Sequence, residues 1–219
     1  MMDRKKLLLL YNPSAGRAQT SRNLDMLLQK FCTGGCETTV YPILDGLNAE
    51  DILAGAESAG YDIVVCCGGD GTLHHTVNGL LRLEQPPLLG YIPSGSTNDF
   101  AASLGLPKTP EDAADAVVNG RPHAIDAGDF GGELFCYVAA FGAFSAVSYE
   151  TPQNMKNAMG HLAYIIEGVK RLPVGEKYPA RVEVGDQVFE EEFLFCSISN
   201  TTSIGGFSLD KSVEATLDD

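Results

Sequence analysis

From the N-terminus to about residue 122, apolar runs of strand length alternate with segments of helical period. Leu7–Tyr11 predicts a buried strand, and Ser21–Phe31 a helix with Leu24, Leu27, Leu28 and Phe31 on one face. Gly34-Gly35 stops that helix. Thr38–Ile43 predicts a second strand and Ala49–Ser58 a second helix. Tyr61–Cys67 is continuously apolar after Asp62, the pattern of a strand covered on both faces. A helix from Thr72 to about Arg82, a strand Leu88–Ile92 and a helix starting near Thr97 complete the series. Such alternation predicts an α/β fold, a three-layer domain with a parallel sheet between helices.

The pattern changes beyond Arg121-Pro122. Ala124–Asp129 and Leu134–Phe141 flank Gly131-Gly132, while Ala180–Val184 and Gln187–Ser197 flank Gly185-Asp186, so two antiparallel hairpins are expected. One helix, about Pro152–Arg171, separates them, with Met155, Met159, Leu162, Ile166 and Val169 on a shared face. Two domains are therefore expected, an α/β domain over 1–122 and a β-rich domain over 123–219.

The apolar content, 44% of 219 residues, excludes a disordered chain. The net charge of −14 argues against nucleic acid as a partner. Its excess gathers late: residues 182–219 hold nine acidic side chains and one basic. The one locally basic stretch, 150–181, is where a surface approaching anionic lipid is expected. No segment reaches transmembrane length, and the six cysteines lack CxxC spacing, so free thiols in a reducing cytoplasm are expected.

Three loops fall at the ends of predicted strands, where open α/β sheets take their ligands. They are Asn12-Pro13-Ser14-Ala15-Gly16, Gly68-Gly69-Asp70-Gly71-Thr72 and Pro93-Ser94-Gly95-Ser96-Thr97-Asn98-Asp99-Phe100. Each joins glycine to small hydroxyl or amide side chains and leads into a helix N-terminus, whose free N–H groups favour phosphate. Arg17 and Arg22 follow the first loop and add positive charge. Asp70 and Asp99 read equally as first-turn residues of their helices or as carboxylates sharing a cation with a phosphate, for which Mg²⁺ is suited. Asp126, in Ala124-Ile125-Asp126-Ala127-Gly128, reads by itself as a turn residue.

On these segments, together with Val77-Asn78-Gly79-Leu80, the sequence resembles the diacylglycerol kinase catalytic-domain superfamily, which includes bacterial soluble lipid kinases and the sphingosine and ceramide kinases. The GGDG element is shared with NAD kinases and phosphofructokinases, and its pairing with Gly95-Ser96-Thr97-Asn98-Asp99-Phe100-Ala101 carries the resemblance to the lipid-kinase branch. The resemblance implies a phosphofructokinase-like first domain, a second-domain sandwich that accepts a lipid hydroxyl, and ATP held in the cleft by Asn12, Gly69, Gly71, Thr72 and Thr97. It further implies that Asp70, Asp99 and Asp126 organise Mg²⁺ and the γ-phosphate. The implied reaction converts diacylglycerol to phosphatidic acid at a membrane surface, by a cytoplasmic enzyme peripheral to the inner face.

Two departures accompany the resemblance. His74-His75 stands where many relatives have Asn-Glu, and adjacent helical residues diverge by about 100°, so locally bonded histidines are expected rather than metal ligands. The chain closes on Ala215-x-Leu217-Asp218-Asp219, which resembles the start of a structural Mg²⁺ segment. The family's further strands and catalytic base follow that segment, so the second domain is expected to be incomplete and this chain inactive alone. An unfinished sheet edge favours association, a homodimer being its simplest form. An NAD kinase-like enzyme and a non-catalytic nucleotide- or lipid-binding module are the alternative readings.

Overall fold

The computed structural model describes residues 4–15, 19–142, 177–201, 203–204 and 207–208. The helix expected over 152–171 lies outside the described residues, as do Gly16, Arg17, Asp218 and Asp219. The described residues divide into two compact units, one running to Tyr137 and resuming at Asn200, the other spanning Val138–Ser199. Arg121-Pro122, the boundary expected from the change of pattern, falls within the first unit.

The first unit is built on four parallel strands, β1 (Lys5–Tyr11), β2 (Cys36–Pro42), β3 (Ile63–Gly68) and β4 (Leu88–Pro93), in the order β2-β1-β3-β4. Strand alternation sorts the core into two faces. Leu7 and Leu9 of β1 point to one side, where they pack with Leu27 and Phe31 of α1 (Gln19–Thr33) and with Ala113 and Ala114 of a helix at Pro110–Asn119. Leu8 and Leu10 point to the other and pack with Ile52 and Leu53 of α2 (Ala49–Ala56) and Leu80 of α3 (Asp70–Leu81). All four leucines are fully buried, so this strand alone carries both halves of a three-layer core.

Two elements differ from the expectation. The helix expected from Thr97 is the short α4 (Asp99–Ser103), and a further helix, α5 (Pro110–Asn119), follows it. Thr109 starts α5: its hydroxyl oxygen accepts from the Asp112 amide at 3.1 Å, and Pro110 fills the first turn. After α5 the chain runs without regular structure over 121–127 into a small hairpin, β5 (Gly128–Phe130) with β6 (Glu133–Phe135). Gly131 and Gly132 turn it, both at positive φ (66° and 93°), as a two-residue turn of this hand requires.

The expected second arm of that hairpin, Leu134–Phe141, is divided. Cys136 is buried against Phe100 and Leu73, which ends β6, and the next strand, β7 (Val138–Gly142), belongs to the second unit. There β8 (Tyr178–Val184) and β9 (Gln187–Phe193) form a hairpin around Gly185 at φ +57°, and β10 (Phe195–Ser199) pairs antiparallel with β7. The expected strand Gln187–Ser197 thus breaks at Leu194, so that its two halves serve different ladders. Val184, Val188, Phe189 and Ile198 are exposed on these strands.

All six cysteines are free thiols. Cys66, Cys67 and Cys136 are buried, and desolvation pushes their thiols up to about 12, 11 and 11.

Candidate functional site

In the first unit, β1 connects outward to β2 on one side and, later in the chain, to β3 on the other. The strand order therefore reverses between β1 and β3, and their C-terminal ends frame the crevice where such sheets bind ligands. The first loop leaves β1 at Asn12, whose amide continues the sheet by donating to the Cys67 carbonyl at 2.9 Å. The Asn12 side chain then works in two directions. Its Oδ1 accepts from the Ser14 amide at 2.9 Å, which tightens the Pro13-Ser14 turn, and its Nδ2 donates to Thr72 Oγ1 at 3.2 Å. That second bond ties the first loop to the first turn of α3.

The second and third loops meet backbone to backbone. A Cβ on Gly95 would lie 2.5 Å from the Gly69 Cα, and one on Gly69 would lie 3.0 Å from the Gly95 Cα. Only hydrogen fits between them. Asn98 holds the third loop in place: Oδ1 accepts from the Gly95 amide at 2.8 Å and Nδ2 donates to the Gly95 carbonyl at 3.1 Å. Asn98 sits in the left-handed region at φ 55°, ψ 51°, a conformation asparagine tolerates better than most side chains. Its amide is thus turned onto its own loop. Thr97 is half-buried beside it.

Asp70 links the same two loops. It is the first residue of α3, where the residue before the helix is Gly69, yet its carboxylate accepts from the amides that open α4, Asp99 N at 3.3 Å and Phe100 N at 3.4 Å. The acid serves the neighbouring helix. Burial raises its pKa above the ordinary aspartate range; those amides oppose the shift and the Asp99 charge adds to it. Asp99 is 4% exposed and opens α4. The two carboxylates thus lie in one another's field, Asp99 buried, and among the described residues no group of three or more His, Cys, Asp or Glu is placed to hold a metal ion by itself.

Gly71 is informative for a different reason. It lies in α3 at ordinary negative φ, and among the described residues a Cβ built there meets nothing within 4 Å. Neither backbone geometry nor packing calls for glycine, which costs a helix up to about 1 kcal/mol relative to alanine. The space over it leaves room for something outside the chain.

Asp126 lies on the extended segment before β5, exposed, with its carbonyl accepting from Asn200 Nδ2 at 2.8 Å. Its carboxylate stands apart from the bonds that join Asp70 to the third loop. The histidines on α3 are engaged locally. His75 Nδ1 lies 2.9 Å from Glu50 Oε1, Arg82 donates to the other Glu50 oxygen at 2.5 Å, and His74 Nε2 lies 4.0 Å from Glu133. Hydrogen bonding from His75 holds the Glu50 carboxyl below its usual range.

Three residues of this region carry roles that sequence patterns did not assign. Asn78, 1% exposed, accepts from the Leu134 amide at 2.9 Å and donates to the Leu134 carbonyl at 2.8 Å, docking β6 on α3. Asn200 bonds the Asp126 carbonyl, and Thr201 bonds Ser103, whose hydroxyl donates to the Asp99 carbonyl. Their only sequence signal is the run Asn200-Thr201-Thr202-Ser203, an amide and hydroxyls following an apolar strand, as in the three glycine loops.

The model of the diacylglycerol kinase catalytic domain matches residues 6–130, more than half of the chain and all three loops. The chain belongs to that family. Among similar diacylglycerol kinases, that of Bacillus subtilis (strain 168) is 36% identical over 93% of this chain and 67% of its own length. The diacylglycerol kinase of Staphylococcus saprophyticus is 36% identical over 99% of this chain and 70% of its own. Two crystal structures of Bacillus anthracis str. Sterne proteins superpose with TM-scores of 0.77 and 0.72, at 25% and 24% identity. Each alignment covers 95% of this chain and 68% of the other, and the second structure is that of a diacylglycerol kinase. The diacylglycerol kinase family fold thus accounts for the parallel sheet and the antiparallel strands after it, and the matches favour a lipid kinase over an NAD kinase-like enzyme. Among the described residues, no helix is long and apolar enough to cross a membrane.

Proposed function

We propose that the chain is the catalytic part of an ATP- and Mg²⁺-dependent lipid kinase that transfers the γ-phosphate to a lipid hydroxyl, with diacylglycerol as substrate and phosphatidic acid as product. The observation that carries this reading is the meeting of three loops at the strand-order reversal, with open space over Gly71. Phosphates belong over that space, on the amides that open α3. Asn12 and Thr72, already bonded to each other, would fix the edge of the nucleotide, with Gly69 and Thr97 beside them. Pro13, Ser14, Gly68, Gly95 and Asn98 shape the loops that these residues ride on.

Asp70 and Asp99 would hold Mg²⁺, which when bound neutralises charge on the phosphates; Asp126 extends the acidic set. In the reaction the lipid hydroxyl oxygen forms a bond to the γ-phosphorus, the bond from that phosphorus to the β-bridging oxygen breaks, and the hydroxyl proton leaves to a carboxylate. Little covalent chemistry falls to the protein, so its contribution is positioning and charge.

Labelled ATP incubated with the complete protein and diacylglycerol in mixed micelles should yield labelled phosphatidic acid, and Asp99→Asn should abolish it. No transfer to diacylglycerol, phosphatidylglycerol, ceramide or sphingoid bases overturns the reading. ATP binding without turnover would favour the non-catalytic module, and phosphorylation of NAD the other enzyme.

A further inference from the structure

We propose that Asn200 and Thr201 form a positioning clasp that sets the Asp126 segment and the Asp99 helix relative to each other. The inference rests on the reading of Asp99 and Asp126 as acids of one site. The two residues are adjacent in sequence, yet they bond segments that lie far apart along the chain. Asn200 Nδ2 donates to the Asp126 carbonyl at 2.8 Å and to the Cys136 carbonyl at 3.4 Å, using both of its N–H groups. The Asn200 amide adds a bond to the Tyr137 carbonyl at 2.8 Å. Thr201, fully buried, bonds through its hydroxyl to Ser103 Oγ, which itself donates to the Asp99 carbonyl at 2.9 Å. One dipeptide thus reaches the backbone of both acid-bearing segments.

The chemistry of the contacts fits a geometric role. The Asn200 amide ends on main-chain carbonyls, and the Thr201 hydroxyl on a serine that bonds one. Both are therefore positioning residues. They act through where the backbone of residues 99 and 126 sits, and a displacement near 1 Å at a reacting group is enough to cost about 100-fold in rate. Two carbonyls fix the orientation of the Asn200 amide, because turning it over would set Oδ1 against two acceptors. An aspartate there, equal in size, presents only acceptors to those carbonyls and should be worse than alanine.

The test uses Asn200→Ala, Asn200→Asp, Thr201→Val and Thr201→Ser in the full chain, with phosphoryl transfer and amide hydrogen exchange read on each. The expected result is a fall of 10-fold or more in kcat for the first three, with KM for ATP within twofold of the parent. Thr201→Ser, which keeps the hydroxyl, should recover most of the rate. Exchange should rise over 124–137 and 99–103 and stay unchanged over 68–72. A KM that rises with kcat held, or a Thr201→Val variant as active as Thr201→Ser, overturns the clasp. If the parent transfers phosphate to no lipid, the functional reading fails by itself. The clasp is then judged by exchange, and unchanged protection of 124–137 in Asn200→Ala refutes it.

Discussion

Replacing Gly71 by alanine separates a ligand site from a packing site, because the two outcomes run in opposite directions. The new methyl group meets no atom of the described residues within 4 Å, so they lose nothing to accommodate it. Removing a glycine from a helix should add up to about 1 kcal/mol of stability, which at about 2–4 °C per kcal/mol for a chain of this size raises Tm by a few degrees at most. If phosphates occupy that space, the same methyl acts as overpacking against the nucleotide and costs about 1–3 kcal/mol of binding, roughly 5- to 150-fold in Kd. Gly95→Ala is the contrast. Its Cβ would stand 2.5 Å from a backbone atom of Gly69 and 2.8 Å from Asn98 Oδ1, so the loops must part and both stability and binding should fall. The assay is thermal unfolding beside nucleotide titration by calorimetry on the three proteins. Gly71→Ala binding ATP as tightly as the parent would remove the argument for phosphate at α3, and a lowered Tm would show that the space is not open.

Asp70→Asn should gain stability over the parent as pH rises from 4 to 8. The folded pKa of Asp70 is raised, so its favourable contribution is complete below the ordinary aspartate value and is lost as pH climbs through the folded value; a Tm difference that does not grow with pH contradicts this. Asn78→Ala leaves a part-buried amide and carbonyl of Leu134 without these bonds and should cost roughly 1–3 kcal/mol, a fall in Tm of about 2–12 °C, and an unchanged Tm would show that β6 does not depend on it. Iodoacetamide at pH 8 should modify exposed Cys32 and spare Cys66, Cys67 and Cys136 until denaturant is added. Mass spectrometry finding Cys66 labelled as fast as Cys32 in the native chain would contradict their burial.

The centre of the sheet was legible because Leu7–Leu10 of β1 and the whole of β3 are buried on both faces, and Leu7–Leu10 leaves no polar position to argue for anything else. Helix α5 was harder to see, since it buries Ala113 and Ala114, whose small side chains make a faint periodic signal. The three loops could be read from their composition, as could their place at strand ends. What Asp70 bonds could not, because local spacing offers its own helix as the partner, whereas the fold brings α4 closer. The same holds for Asn98, whose role depends on a left-handed backbone, and for Thr201, whose partner Ser103 is distant in sequence. Pairings made by tertiary proximity leave no periodicity to read.

The first unit leaves the chain at Tyr137 and is resumed only at Asn200, so a ribosome delivers it in two instalments. At 5–20 residues per second, roughly 3–12 s separate them. During that interval the parallel sheet has all four of its strands, and Ser103 waits without Thr201. Val138–Ser199 emerges before its host is whole. Late completion of this kind sets an order of assembly: the three glycine loops emerge early, and Ser103 and the Asp126 carbonyl gain their partners only on the nascent chain's return.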